Sequence, residues 1–497
     1  MVSTKLSTVD RGLYIDGAWR QAVAGNSTVI SDPATGELVG HCALAMEADV
    51  DAAVDAAVRA QPTWAAAHPD ERAAILHRVA DLMTQRVDDI AVLLTREQGK
   101  PLPDSEKEVL FGAQVLHFYA EEGRRLAGSI RPSSHADVRS LVGWAPVGVV
   151  GAIVPWNYPV DLYCWKIGPA LAAGNTIVVK PPAETPFAIG LVVQCLADAG
   201  LPPGVLADLP GALAAGQRLS HHPQIGMITA TASTRTGQEL MRAAAGTLKK
   251  LSLELGGQCP FIVLDDADVP DAAAAAARRS FSNAGQICIA VNRVLVADDL
   301  ADDFADALAA NAEQIVLGHG LDPAVAYGPT TTAAVGQRAQ EHIADAVAYG
   351  ARLIAGGGPA SGRGLDRGQF FRPTVLDRVP LDARVMNEET FGPVVAVHRM
   401  PAGADIAAVA AAANATPYGL AGYIFGGDLD RAWVLAEQLQ AGGVGVNIND
   451  ITELQAPFGG WKMSGFGREL GPEGLRAFCQ QRHIRIRRRS TPTTVLR

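Results

Sequence analysis

Cys288 closes the run Phe281-Ser282-Asn283-Ala284-Gly285-Gln286-Ile287-Cys288, and Glu254 lies 34 residues upstream in Leu253-Glu254-Leu255-Gly256-Gly257. A thiol can attack a carbonyl carbon, and a carboxylate can take a proton from the water that later releases the product. A lone cysteine is by default a small buried hydrophobe. Here Gly285 predicts a turn after a helix, which brings the thiol out of the core to where backbone N–H groups are free. A free thiol titrates near ~8.5, so some thiolate exists at neutral pH and activation needs only a modest shift. Glu254 follows apolar Leu251-Ser252-Leu253. If it faces the core, burial raises its pKa above ~4.3 and makes it a better proton acceptor near neutrality. If it faces solvent, it is an ordinary strand-end carboxylate or the partner of a lysine. The third group is Asn157, in Pro155-Trp156-Asn157-Tyr158-Pro159. Two prolines fix that turn on both sides. An amide held there can donate to a developing oxyanion, or it can simply close an Asx-turn.

An alternating α/β pattern positions these residues. Residues 147–154 are apolar on both faces and read as a buried strand, with Asn157 just beyond its C-terminal end, where ligands of parallel sheets gather. Residues 175–180 form a second strand ended by Pro181-Pro182, and 186–199 a helix. Segments 49–60 and 73–97 have helical spacing and good helix formers. Strand and helix patterns keep alternating past Gly257, which predicts parallel sheets. The alanine run 272–277 follows Pro270-Asp271, a helix start, and reads as a packed helix. Residues 355–364, with three successive glycines, are a surface loop that lacks the Gly-Lys-Ser/Thr of a P-loop. The basic stretch 482–489 reads as a strand with Ile484 and Ile486 on one face, an edge suited to pairing with another subunit.

At 497 residues the chain has room for two or three domains and a large core. A net charge of −10 leaves no domain-wide basic face, which argues against nucleic acid as a partner. The six cysteines form no CxxC pair, so neither a zinc knuckle nor a disulfide framework is expected, and a reducing, cytoplasmic setting fits. Met1 to Lys5 opens a polar stretch without an apolar leader, and the longest apolar run, 147–155, is too short to span a bilayer. His221-His222, beside Pro223, reads as a solvent-exposed pair in a turn, so no metal is expected.

The motifs occur in a familiar order. From Tyr14-Ile15-Asp16-Gly17-Ala18-Trp19 to Pro457-Phe458-Gly459-Gly460-Trp461-Lys462-Met463-Ser464-Gly465, through the Asn157, Glu254 and Cys288 segments, Lys180 to Pro186 and Glu388-Glu389-Thr390-Phe391-Gly392-Pro393, the chain resembles a non-acylating NAD(P)-dependent aldehyde dehydrogenase. The resemblance implies that Cys288 forms a thiohemiacetal with an aldehyde. Asn157 and the Cys288 backbone N–H would hold its oxyanion, and Glu254 would activate the water that hydrolyses the resulting thioester. Lys166 would stand behind Glu254. Lys180 would bind the adenosine ribose and Glu389 the nicotinamide ribose, with Phe391 against the cofactor. Pro155 and Trp156 would line the cofactor cleft, as would Leu255 and Gly256. Tyr158, Leu162, Trp165, Ile287, Ile289 and Phe458 would line the aldehyde tunnel.

The same resemblance implies an α/β fold in three parts. A Rossmann-like parallel-sheet cofactor domain would cover 1–125 and 146–256, an α/β catalytic domain 257–456, and a small β oligomerisation arm 126–145 and 480–497, giving a homodimer or homotetramer. Three positions depart from the family pattern. Ala183 stands where many members carry a ribose-binding glutamate, with Glu184 one place later. Ala232 replaces a glycine before the phosphate-binding helix, which Ser233 can still cap and which Gly237 follows. Gln258 replaces a lysine. NAD is the expected cofactor, with NADP possible. The tunnel residues predict a hydrophobic aliphatic or aromatic aldehyde. Asp161 and Thr452 would either admit a polar group or face away, and no motif arginine suggests a clamp for an anion. A semialdehyde-specific or acyl-transferring dehydrogenase and a non-catalytic homologue are the alternatives.

Overall fold

The computed structural model describes residues 8–401 and 403–488. Two segments read above, Met1 to Lys5 and 489–497 at the end of the arm, lie outside the described residues. The fold is α/β throughout. Its first sheet has eight strands, ordered Gly465–Phe466, Lys250–Glu254, Met227–Thr231, Val149–Ile153, Thr176–Lys180, Leu206–Asp208, Leu13–Ile15 and Ala18–Arg20. The middle five run parallel and antiparallel strands close both edges. Val149–Ile153 is buried at every position, as its unbroken apolar run requires of a central strand.

A seven-stranded sheet follows, in the order Arg352–Ala355, Thr374–Asp377, Val394–Met400, Val291–Ala297, Cys259–Val263, Ala421–Phe425 and Gly443–Val446. Only its first pair is antiparallel. A three-stranded sheet joins Ser129–Arg131 and Val138–Pro146 to Cys479–Arg487, which pairs along the whole middle strand. Ile484 and Ile486, two residues apart on that last strand, are both half exposed.

Register explains why chemistry collects where it does. In the first sheet Ile153 pairs with Lys180, Ala230 with Ile153, and Thr231 with Glu254. The strand ends that carry Lys180, Thr231 and Glu254, and the turn that carries Asn157, therefore open on one edge. The chain then crosses directly from Glu254 through Gly256-Gly257 into Cys259–Val263, whose first residue pairs with Val291 just beyond Cys288. The carboxylate at the end of one sheet and the thiol at the start of the next are brought to a common seam.

Several boundaries differ from the sequence reading. The helical segment 73–97 is two helices, Pro69–Gln85 and Val87–Gln98, because Arg86 leaves helical geometry at φ −108° and ψ 19°. The helix over 49–60 extends to Glu47–Ala66 and tolerates Pro62. The alanine run lies in Val269–Phe281, where the Asp268 side chain accepts from the Asp271 N–H at 3.1 Å. His221 and His222 are not an exposed pair: the helix Leu213–His221 ends between them, and His222 turns inward and is buried. Among the described residues no group of three His, Cys, Asp or Glu is placed to hold a metal, and no helix is long and apolar enough to cross a membrane.

Candidate active site

The helix Val269–Phe281 ends at Ser282, and the next three residues turn left-handed: Asn283 at φ 50°, Ala284 at φ 54° and Gly285 at φ 71°. A side chain at Gly285 would collide with the Gly392 carbonyl, so glycine is required there for space as well as for angle. The turn lifts Cys288 away from the core, and it is the least buried of the six cysteines. No backbone carbonyl among the described residues takes the Cys288 N–H. The thiol is not activated by its surroundings. Burial pushes it far up, and Cys259, Glu389 and Glu254 push the same way. This corrects the expectation of only a modest shift: the sequence shows a turn, but not the low dielectric and the neighbouring acidic groups around it.

Asn157 lies on the opposite wall and is buried. Its Nδ2 donates to the Gln286 carbonyl at 3.0 Å, leaving the second N–H without a protein acceptor. Glu254 is 3% exposed, and among the described residues neither of its carboxylate oxygens has a hydrogen-bond partner of good geometry, the Gly460 backbone N–H being its neighbouring donor. Burial holds its carboxyl well above the usual range, Glu469 adds to this, and Lys166 and Arg468 oppose it. The core-facing alternative for Glu254 is the one the fold adopts. Lys166 is fully buried, pairs with Glu469, and donates to Thr231 Oγ1 at 2.8 Å.

Two cavities meet at Cys288, Asn157 and Thr231. The first, about 450 Å³, is walled by Pro155, Trp156, Glu184, Ser233, Leu255, Gly256, Glu389 and Phe391. Trp156 and Phe391 meet edge to face at 5.5 Å. The Gly257 N–H donates to Glu389 Oε1 at 3.0 Å, and burial pushes that carboxyl up to about 7. A Cβ on Gly256 would fill the space before Glu389. Ser233 caps the helix Thr234–Ala245, accepting from the Thr236 N–H at 3.3 Å, so a helix N-terminus faces this cavity as an anion would require. A cleft with an aromatic edge, a buried carboxylate and a capped helix N-terminus has the donors and acceptors to fit a dinucleotide. Gly237 packs beneath it, where a side chain would strike Leu255. Lys180 and Ala183 stand outside its wall. The Lys180 ammonium, lowered by burial, donates to the Gly211 carbonyl at 2.9 Å.

The second cavity is a tunnel of about 520 Å³ lined by Tyr158, Leu162, Trp165, Ile287, Ile289 and Phe458, all six of the residues anticipated. Trp165 and Phe458 pack edge to face at 5.2 Å. Asp161 and Thr452 also line it. Asp161 accepts from Trp165 Nε1 at 2.6 Å, and burial, helped by Glu108, holds its carboxyl well above the usual range.

The profile of the Aldehyde dehydrogenase family matches residues 19–484. The chain belongs to this family. It is 41% identical to the glutarate-semialdehyde dehydrogenase of Pseudomonas aeruginosa, over 95% of this chain and 96% of that protein. It is also 41% identical to the NADP(+) succinate-semialdehyde dehydrogenase GabD of Escherichia coli, over 95% of this chain and 97% of that one. A crystal structure of an E. coli NADP-dependent enzyme superposes with a TM-score of 0.93 at 41% identity, covering 96% of this chain and 98% of the other. PnpE in complex with nicotinamide adenine dinucleotide superposes with a TM-score of 0.93 at 37% identity, over 96% and 97% of the two chains. As an aldehyde dehydrogenase this protein is an NAD(P)-dependent oxidoreductase.

Several charged residues of this aldehyde dehydrogenase escaped the sequence reading, Asp104, Lys107 and Asp450 of the tunnel wall among them. Glu469, Glu108 and Arg279 line the tunnel and Arg338 lines the dinucleotide cleft. Arg279 comes from the helix two turns before Cys288, and its guanidinium pairs with Asp450 at 2.6 Å. Nothing in the local sequence of these residues separates them from surface charges, since each reaches the site only through the fold.

Proposed function

We propose that this enzyme oxidises a hydrophobic aliphatic or aromatic aldehyde to the free carboxylic acid, with Cys288 as nucleophile and Glu254 as base. The observation that carries this reading is the junction of the two cavities at Cys288, with the unpartnered carboxyl of Glu254 in the tunnel wall. The Cys288 sulfur adds to the carbonyl carbon as the thiol passes its proton to solvent water, and the carbonyl oxygen becomes an oxyanion. The free N–H of Asn157 and the backbone N–H of Cys288 donate to it. Trp156, Phe391 and Glu389 in the wall of the first cavity would hold a nicotinamide dinucleotide, which when bound would supply the hydride acceptor. Loss of hydride as the oxyanion collapses leaves a thioester. Glu254 then takes a proton from water, the hydroxide adds to the thioester carbon, and the Cys288 thiolate leaves. Lys166 and Glu469 act on the charge of Glu254 from behind, without a hydrogen bond to it. Residues 1–125 and 146–256 form the dinucleotide domain, 257–456 the catalytic domain, and the three-stranded sheet the arm of a homo-oligomer.

The substrate class rests on how charge is distributed in the tunnel. Of its acidic and basic lining groups, Arg279 is matched by Asp450, Glu108 by Lys100, Glu469 by Lys166, and Lys107 by Asp104. Among the described residues each lining cation therefore has an acidic partner, and Leu110, Phe111, Tyr158, Leu162, Trp165, Ile287, Ile289 and Phe458 give the wall its apolar part, beside polar Gln114, Asp161, Ser282 and Thr452. A second reading comes from the relatives that act on semialdehydes: Arg279, if released from Asp450, would face a substrate carboxylate. Comparing kcat/KM for hexanal and benzaldehyde with that for succinic and glutaric semialdehydes tests the two. A preference of tenfold or more for the semialdehydes overturns the hydrophobic reading. Glu184 in the dinucleotide cleft supports NAD over NADP, because a carboxylate there repels a 2′-phosphate. For the chemistry, Glu254→Gln is expected to give one rapid turnover of reduced cofactor and then stall. Unchanged steady-state turnover would remove Glu254 from its role.

A further inference from the structure

Lys100 and Glu108 take no part in the chemistry just described, yet they form an ion pair whose side chains are at most 1% exposed. A buried ion pair adds little net stability compared with apolar side chains of the same shape, so its partners are informative. Lys100 Nζ donates to the backbone carbonyl of Asn157 at 2.8 Å and lies 3.8 Å from the centre of the Tyr158 ring. Glu108 Oε1 accepts from the Val160 N–H at 2.9 Å and from the Asp161 N–H at 3.3 Å, in the first turn of the helix Pro159–Ala172. One ion pair thus grips the Asn157 turn on both sides.

The Asn157 carbonyl has a second donor. Asn283 Nδ2 reaches it at 3.0 Å from the loop that carries Cys288. Asn283 Oδ1 in turn accepts from Gln98 Nε2 at 2.9 Å, and Gln98 Oε1 accepts from the Lys100 backbone N–H at 2.8 Å. Lys100, Asn157, Asn283 and Gln98 form a closed circuit of hydrogen bonds linking three segments that are far apart in sequence. Asn283 is also the first of two non-glycine residues held left-handed ahead of Cys288. Such a conformation persists only where its surroundings over-determine it.

We propose that Lys100 and Glu108 are positioning residues that lock the Asn157 turn onto the Cys288 loop and act on the acylation half of the reaction through the Asn157 amide. This rests on the reading of Asn157 as an oxyanion donor. The amide has one N–H committed to Gln286, so the aim of the other follows the backbone of the turn, and that backbone is held at its carbonyl by Lys100.

A double-mutant cycle tests it. Lys100→Met/Glu108→Gln removes the pair without leaving a lone buried charge, and is combined with Asn157→Ala. The rate of reduced-cofactor formation in a single turnover with benzaldehyde is measured for all four proteins, alongside dinucleotide affinity by fluorescence titration. The pair variant is expected to lose roughly ten- to a hundredfold in this rate, the scale of a reacting group displaced by about an ångström. Its dinucleotide affinity is expected to stay within about twofold of the parent, since neither residue lines that cleft. Asn157→Ala alone is expected to lose about a hundred- to a thousandfold, and the combined variant no more than that. If the two losses multiply, or if the pair variant keeps the parental rate, the proposal is overturned. If Asn157→Ala itself keeps the parental rate, the oxyanion reading fails first and the proposal with it. Should the pair variant not fold, Lys100→Arg preserves the charge but moves the donor. A slowed single turnover in that protein, with thermal stability retained, supports the proposal, and an unchanged rate overturns it.

Discussion

Replacing Glu469 with glutamine will lower the pH at which product release switches on. In the proposed mechanism Glu254 must be ionised to take a proton from water, and its carboxyl is held well above the usual range by burial first and by Glu469 second. Glu469→Gln removes the second influence. It also frees the charge of Lys166, which now pairs with Glu469, to act on Glu254 alone. Both changes favour the carboxylate, so the pKa of Glu254 falls. A downward shift is therefore expected in the acid limb of thioester hydrolysis. Stability moves the other way. Lys166 keeps only the Thr231 hydroxyl at 2.8 Å, and breaking one side of a buried pair costs about 3–5 kcal/mol; the glutamine oxygen can still accept, which places the loss at the low end. The assay is rapid mixing across a pH series, with the burst of reduced cofactor reporting acylation and the slower phase reporting hydrolysis. In Glu254→Gln the limb disappears. A limb in Glu469→Gln that stays in place, or moves up, refutes the electrostatic coupling of the two carboxyls.

Three further outcomes follow from the dinucleotide cleft. Glu184→Ser removes the carboxylate nearest the expected ribose site and will raise kcat/KM for NADP relative to NAD by tenfold or more, about 1.4 kcal/mol of discrimination; an unchanged ratio places the specificity elsewhere. A Cβ on Gly256 meets the movable carboxylate of Glu389, whereas one on Gly257 meets the backbone carbonyl of Cys288. Gly256→Ala will accordingly raise KM for the dinucleotide with kcat largely kept, and Gly257→Ala will lower kcat and Tm; the reverse pattern would contradict the packing. Glu389, raised to about 7 by burial, gains its proton as pH falls through that value and so loses its charge on the acid side. Dinucleotide affinity will weaken as pH drops from about 8 to about 6, and Glu389→Gln will flatten that dependence in a fluorescence titration.

The legible parts of the site were those in which chemistry and turn geometry sit in one short segment. Pro155 to Pro159, Leu253 to Gly257 and Asn283 to Cys288 each announce a strand end or a left-handed turn beside a reactive side chain. Five of the six anticipated tunnel residues flank two of those turns or start the helix after one, and Phe458 joins them from residues 457–465. What stayed hidden is made by long-range pairing. Glu469 touches Lys166 across about 300 residues, and Lys100 reaches Asn157 across 57. Arg279 and Arg338 sit on amphipathic helices where a charged residue ordinarily faces solvent. The thiol of Cys288 was misjudged for the same reason: it is pushed up first by burial and then by Cys259, Glu389 and Glu254, which the fold gathers from separate strands and loops. The boundary at Arg86 was missed because neither proline nor glycine marks it.

The strand that carries Glu254 owes its outer edge to Gly465–Phe466, with Leu253 opposite Phe466 and Glu254 opposite Gly465. Just ahead of that strand, Ser464 donates its hydroxyl to the Gly256 carbonyl at 2.7 Å. During translation these partners leave the ribosome about 210 residues after Glu254, a delay of roughly 10 to 40 s at 5–20 residues per second. Through that interval the strand is an open edge, a template for wrong pairing, and the thiol is already made while the wall behind its base is not. Until residues 464–466 are made, the Glu254 strand lacks its edge partner and the Gly256 carbonyl its Ser464 donor, so the seam between the two sheets closes only with the last part of the chain.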